Sequence, residues 1–230
     1  MAVILNIETS EKTCSTALTA DGMVITFREE PGARNHAASL SQQIADCLGE
    51  AKRHGLRPDA VAVSLGPGSY TGLRIGLSEA KGLAYALKVP LIGVDTLQLI
   101  AVQAMFGPDA DPDALFAPMV DARRMEVFTA VYDWALQPVV APGPVILQPD
   151  TWADLLAEHK IMIMGSGSDK AAEMLPKANV QHIRDITPHA VHMLALAEKA
   201  WRNGDFIDVA YSTPNYLKDF QATTPKKTTF

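Results

Sequence analysis

A chain of 230 residues with 48% hydrophobic and 20% charged residues has the balance of a globular protein, sized for one large domain or two small ones. The formal charge of −6, with its dense basic spot confined to Lys226-Lys227 in a polar tail, argues against a chain that grips nucleic acid unaided. Two cysteines, Cys14 and Cys47, make no disulfide framework, no apolar run reaches bilayer-spanning length, and the start MAVILNIETS lacks a basic region before its apolar run, so a reduced, cytoplasmic protein is expected.

In chain order, VILNIET (3–9) and TCSTALTA (13–20) read as strands, and Asp21-Gly22 is a hairpin turn into a third, MVITFRE (23–29). Leu40, Ile44, Leu48 and Ala51 recur at helical spacing, which predicts a helix over 36–53 ended by Gly55. The continuous apolar run at 59–65 has the character of a buried parallel strand. A helix over 71–87, a strand at 90–94 and a helix at about 96–106 follow.

Residues 107–114, GPDADPDA, read as a linker. Beyond it the order begins again: strands at 115–122, 125–133 and a broken 139–147, a helix at 150–159, a strand at 161–164, a helix at 168–175, a strand at 180–184 and a helix at 189–203. The chain therefore divides into an N-terminal half, 1–106, and a C-terminal half, 107–230, with the last helix placed either on its own half or back on the first. Two tandem βββαβαβα halves are the plan of the α/β actin-like ATPase (ribonuclease-H-like) fold, in which nucleotide sits between the halves; fold alone does not settle function.

SLGPGSYTGLRIG (64–76) fails both standard phosphate-loop patterns. The Walker pattern needs Lys-Ser or Lys-Thr after its last glycine, whereas Leu73-Arg74 follows Gly72. The dinucleotide fingerprint needs Gly-x-Gly-x-x-Gly, and Gly66, Gly68 and Gly72 are spaced one residue too wide. A turn into a helix remains, with Ser69 or Thr71 as its cap. Gly72, Gly76, Ala80 and Ala84 then recur every fourth residue as a smooth strip, beside Leu73, Leu77, Leu83 and Leu87. Interior helix glycines cost about 1 kcal/mol each against alanine. That cost points to another backbone lying close, from a protein partner or from the same chain.

SLGPGSYTGLRIGLSEAKGLA (64–84) resembles the signature of the bacterial TsaB (YeaZ) family, with Tyr70 where the family usually has Phe. ILNIETS (4–10), His36, GVDTL (93–97), PMVDARRMEVF (118–128) and PNYLK (214–218) extend the resemblance over nearly the whole chain. It implies the fold above and a non-catalytic role in threonylcarbamoyladenosine modification of tRNA, as heterodimer partner and activator of the TsaD transferase beside the ATPase TsaE. It further implies homodimers through the same face when the chain is alone, tRNA met only through the complex, and no membrane. No cofactor is expected for the chain itself, with ATP or ADP a candidate only at the interface of the assembled complex. The first two helices carry the family's TsaD contact. The expected partner interface is therefore Gly68, Ser69, Tyr70, Thr71, Gly72, Leu73, Arg74, Gly76, Leu77 and Ala80, with Leu40 and Ile44. Gly76→Leu is expected to abolish association with little loss of folding.

TsaD carries a metal site with two histidines spaced His-x-x-x-His on its first helix. Here Leu40 stands four residues after His36, so no metal is expected and His36 reads as a helix-start residue. His189 and His192 read as solvated or satisfied. The rival reading is an actin-like ATPase or small-molecule kinase. Glu8-Thr9-Ser10 stands where such ATPases hold hydrated Mg²⁺ with an acidic residue, which is usually Asp in TsaB sequences. Asp121 and Arg123 lie at the matching hairpin of the second half, and Gly165-Ser166-Gly167 resembles the adenosine-side loop or is a plain turn capped by Ser168 or Asp169. These residues form the expected vestigial nucleotide site. A glycoprotease-like metallopeptidase would need a metal or a nucleophile triad, neither visible in the sequence, and no catalytic residue is assigned.

Overall fold

The computed structural model describes residues 2–30, 32 and 36–218; the Lys226-Lys227 pair lies outside them. The buried runs and hairpin signals build two five-stranded sheets. In the first, β1 (Val3–Glu8), β2 (Cys14–Ala20), β3 (Met23–Glu30), β4 (Ala60–Gly66) and β5 (Leu91–Asp95) lie in the order β3-β2-β1-β4-β5. In the second, β6 (Leu115–Asp121), β7 (Glu126–Tyr132), β8 (Pro138–Ile146), β9 (Ile161–Met164) and β10 (Val180–His182) lie in the order β10-β9-β6-β7-β8. Each sheet has its first strand at the centre, antiparallel neighbours on one side and parallel ones on the other. This is the duplicated actin-like plan expected from the element order. The third strand of the second half is continuous rather than broken; its prolines fit because β8 is an edge.

Among the described residues six α-helices accompany the strands: α1 (His36–Arg53), α2 (Tyr70–Leu87), α3 (Thr96–Met105), α4 (Ala153–Glu158), α5 (Ser168–Met174) and, after the last strand, α6 (Leu194–Asn203), preceded by a 3₁₀ turn at Ala190–Met193. α1 and α2 cover one face of the first sheet, with Leu40, Ile44, Leu77 and Ala80 on Leu5, Ile7, Val61 and Val63. The other face takes Leu99 of α3 and returning residues Met193 and Ala197. α3 also packs Leu97, Ile100 and Ala104 against Phe116, Tyr132 and Met164 of the second sheet. α3 is thus buried from both sheets, as an almost wholly apolar helix must be. After α6 the chain runs back along the first sheet, where Ile207 bridges to Leu91.

Candidate functional site

The loop after β4 and the start of α2 form one built unit. Gly66 has φ +106°, a left-handed conformation suited to glycine, and a β-carbon on Gly68 would lie 2.3 Å from the Ser10 carbonyl. Ser69 N–H donates to that same carbonyl (2.6 Å), and the Ser69 hydroxyl caps α2 by accepting from Gly72 N–H (3.2 Å). Of the two expected caps, Ser69 is the one used. The Ser69 and Gly72 amides are therefore committed to the chain itself.

α2 has two different faces. Gly72, Leu73, Gly76, Leu77 and Ala80 are buried within the chain, as are Leu40 and Ile44 of α1. Thr9 Oγ1 donates to the Gly72 carbonyl (2.8 Å), and a β-carbon on Gly76 would sit 2.2 Å from that hydroxyl. The smooth strip thus receives the turn after β1. This corrects the expectation that it is free for a partner. The outward face carries Ser69, Tyr70, Thr71, Arg74, Ser78, Gly82 and Tyr85. Arg74 lies over the Tyr70 ring, its guanidinium carbon 4.2 Å from the centroid, and donates from Nε to the Tyr216 hydroxyl (3.0 Å).

The turn after β1, the β6–β7 hairpin and the loop after β9 meet where the two halves face each other. Glu8 is fully buried and turned onto its own loop, accepting from Ser10 N–H. Burial outweighs the hydrogen bonds from Ser10 and Ser64 and pushes its carboxyl up to about 7. Its Oε2 and the Ser10 hydroxyl have no hydrogen-bond partner among the described residues. The link between halves is made one residue after Ser10: the Ser166 hydroxyl donates to Glu11 and accepts from Asp121 N–H (3.1 Å). Burial raises the Glu11 carboxyl, the Ser166 bond and Lys12 lower it, and Asp121 adds to the rise. Lys170 pairs with Asp121 and binds the Arg124 and Glu126 carbonyls, and Arg123 N–H donates to Asp121 (3.0 Å).

The glycines of the 165–167 loop are fitted to β6 and β7. A β-carbon on Gly165 would meet the Met119 carbonyl at 2.5 Å, and one on Gly167 would meet Val127 at 2.7 Å. Neither Ser168 nor Asp169 caps α5; the capping position is Gly167, without a side-chain bond. The Ser168 hydroxyl instead donates to the Gly165 carbonyl (2.7 Å) and lies 2.9 Å from His182 Nε2. With its one proton given to Gly165, Ser168 accepts from the half-buried His182, so this pair is a lock between α5 and β10 rather than a nucleophile with its base. His189 pairs with Glu29 (3.2 Å) and meets Thr187 (2.9 Å), and His192 packs edge-on against it, its pKa lowered by burial and by His189. Neither is fully satisfied: the Nδ1 atoms of both rings are buried without a hydrogen-bond partner among the described residues, which corrects the expectation of solvated or satisfied histidines. α1 begins at His36 and carries Leu40 fully buried one turn on. Among the described residues no group of three His, Cys, Asp or Glu side chains converges as a metal set.

The loops of the expected nucleotide site meet through Glu11, Ser166 and Asp121, and neither Glu11 nor Lys170 was among the expected residues; their partners lie in the other half or across its hairpin. Sequence reasoning also missed the segment after α6, although PNYLK (214–218) marks it.

The paired sheets and the meeting loops define an actin-like protein. A family model described as TsaD, tRNA N6-adenosine threonylcarbamoyltransferase, matches residues 29–226. The tRNA threonylcarbamoyladenosine biosynthesis protein TsaB of Bacillus subtilis (strain 168) is 31% identical, covering 72% of this chain and 71% of its own. That of Escherichia coli (strain K12) is 30% identical and covers 94% of both. The structure of YeaZ from Pseudomonas aeruginosa matches with a TM-score of 0.79 and 26% identity, over 94% of this chain and 100% of that one. The chain belongs to the TsaB (YeaZ) family.

Proposed function

We propose that this chain acts in the cytoplasm as a non-catalytic subunit of tRNA threonylcarbamoyladenosine biosynthesis. It docks a TsaD-family transferase on the outer face of α2 and makes it competent. A TsaE-type ATPase joins the complex, and tRNA is reached through the assembly. Without the partner, two copies pair through the same face. The chain needs no cofactor of its own, and any ATP or ADP sits at the interface of the assembled complex.

The outer face of α2 carries this reading. Tyr70, Arg74 and Tyr85 are exposed in a row, and aromatic and arginine side chains are the usual anchors of interfaces. Gly82 lies mid-helix on this face with open space around it, so nothing inside the chain accounts for a glycine there. Ser78 stands one turn before it, also exposed. The rival ATPase reading needs an acid facing the cleft at position 8, where Glu8 instead holds its own loop.

In a reconstituted reaction with the TsaD-family protein and its other components, tRNA modification is expected to fall to background when this chain is left out. Full modification without it would overturn the proposal. Ser78→Glu places a carboxylate at the centre of the outer face and is expected to weaken association with the TsaD-family protein at least about tenfold, with unchanged melting.

A further inference from the structure

The outer face of α2 does not stand alone. The segment after α6, Asp205–Lys218, lies along it as a strap. Lys81 donates to the Ala210 (3.0 Å) and Ser212 (2.7 Å) carbonyls, on either side of Tyr211. Asp208 accepts from the Ala210 and Tyr211 amides (2.7 Å each), fixing a turn that leaves the Tyr211 ring 86% exposed. Asn215 N–H donates to the Leu65 carbonyl (2.7 Å). The next three residues reach three different places. Tyr216 packs on Tyr70 (centroids 5.2 Å apart) and accepts from Arg74. Leu217 packs into the core shared by α3 and the second sheet, and Lys218 binds both carboxylate oxygens of Glu126 (2.9 and 2.8 Å).

We propose that this strap is the second half of the partner surface: Tyr211 contacts the TsaD-family protein directly, and Tyr216 holds Tyr70 and Arg74 in their docking positions. The inference rests on the α2 reading above. The charge of this side says what meets it. Arg74 and Lys81 on α2 and Lys88 just past its end, with Arg57 against its last turn, form a basic edge on a chain of net charge −6. Arg74 is exposed, and the bond from its Nε to the Tyr216 hydroxyl fixes the side chain on this edge. The matching surface of the TsaD-family protein is therefore one that receives tyrosine rings and presents carboxylates to this edge.

Tyr211→Ser and Tyr216→Ala in the full chain are each expected to weaken association with the TsaD-family protein about tenfold by calorimetry, whereas Tyr216→Phe, which keeps the ring stack, stays within about threefold. Tyr211→Ser cannot act through folding, because its ring is exposed, and its melting temperature is expected to match wild type. If Ser78→Glu abolishes association while Tyr211→Ser and Tyr216→Ala both bind within about twofold of wild type, the strap inference is overturned and the α2 reading stands. If Ser78→Glu binds as wild type, the α2 reading falls and the strap inference falls with it.

Discussion

Gly76→Ala lowers the stability of the isolated chain by about 2–4 kcal/mol, and Gly76→Leu leaves little soluble protein, whether or not a partner is present. The added β-carbon would lie 2.2 Å from Thr9 Oγ1, and Thr9 is fully buried with its hydroxyl donating to the Gly72 carbonyl. Accommodation requires moving the turn after β1 or breaking that buried bond. Both costs exceed the roughly 1 kcal/mol that alanine returns in helix propensity. Thr9→Ala removes the obstructing oxygen, so the double variant Thr9→Ala/Gly76→Ala is expected to be more stable than the sum of the single effects implies. Thermal melts of the four proteins decide the matter. A Gly76→Ala variant that melts with wild type would mean that the strip is not packed as described. This outcome replaces the expectation that Gly76 substitution spares folding and removes only association.

Glu8→Gln is expected to stabilise the chain at pH 8 and to change little at pH 5. Burial holds the Glu8 carboxyl at about 7 in the folded chain, above its ordinary 4.5. Below 4.5 both folded and unfolded states are protonated and the carboxyl costs nothing. Between those values the folded state keeps a proton that the unfolded state releases. Stability therefore falls as pH rises through this window, and the full penalty is present above 7. A shift of this size corresponds to about 3 kcal/mol, several degrees in melting temperature for a chain of this length. Glutamine keeps an oxygen to accept from Ser10 N–H and offers an amide toward the unpartnered Ser10 hydroxyl. Melting curves at the two pH values test it. A variant destabilised equally at both would show that the charged carboxylate is needed where it sits.

Much of this fold was legible. The period-2 and period-3.6 runs marked the elements of both halves, because backbone pattern and burial agree along each of them. Failure of the phosphate-loop spacings correctly divided the glycines of 66–76 into turn and helix, and the cap was legible as Ser69 or Thr71, of which the structure uses Ser69. The all-round apolar character of α3 was equally present in the sequence, but nothing local says that two sheets will share it.

The faces were not legible. A strip of Gly72, Gly76 and Ala80 reads the same whether a partner or the chain's own Thr9 fills it, since the deciding contact joins residues more than sixty positions apart. The same holds for Glu8, whose charge fits a metal-holding acid until the fold turns it onto Ser10, and for Tyr216, whose ring acquires a role only where the returning strap meets Tyr70 and Arg74. The sequence by itself determined which segments become helix and strand, because hydrophobic period is a property of neighbours. Only the tertiary structure decided which side of each segment is left for another molecule, because burial is set by whatever distant part of the chain arrives first.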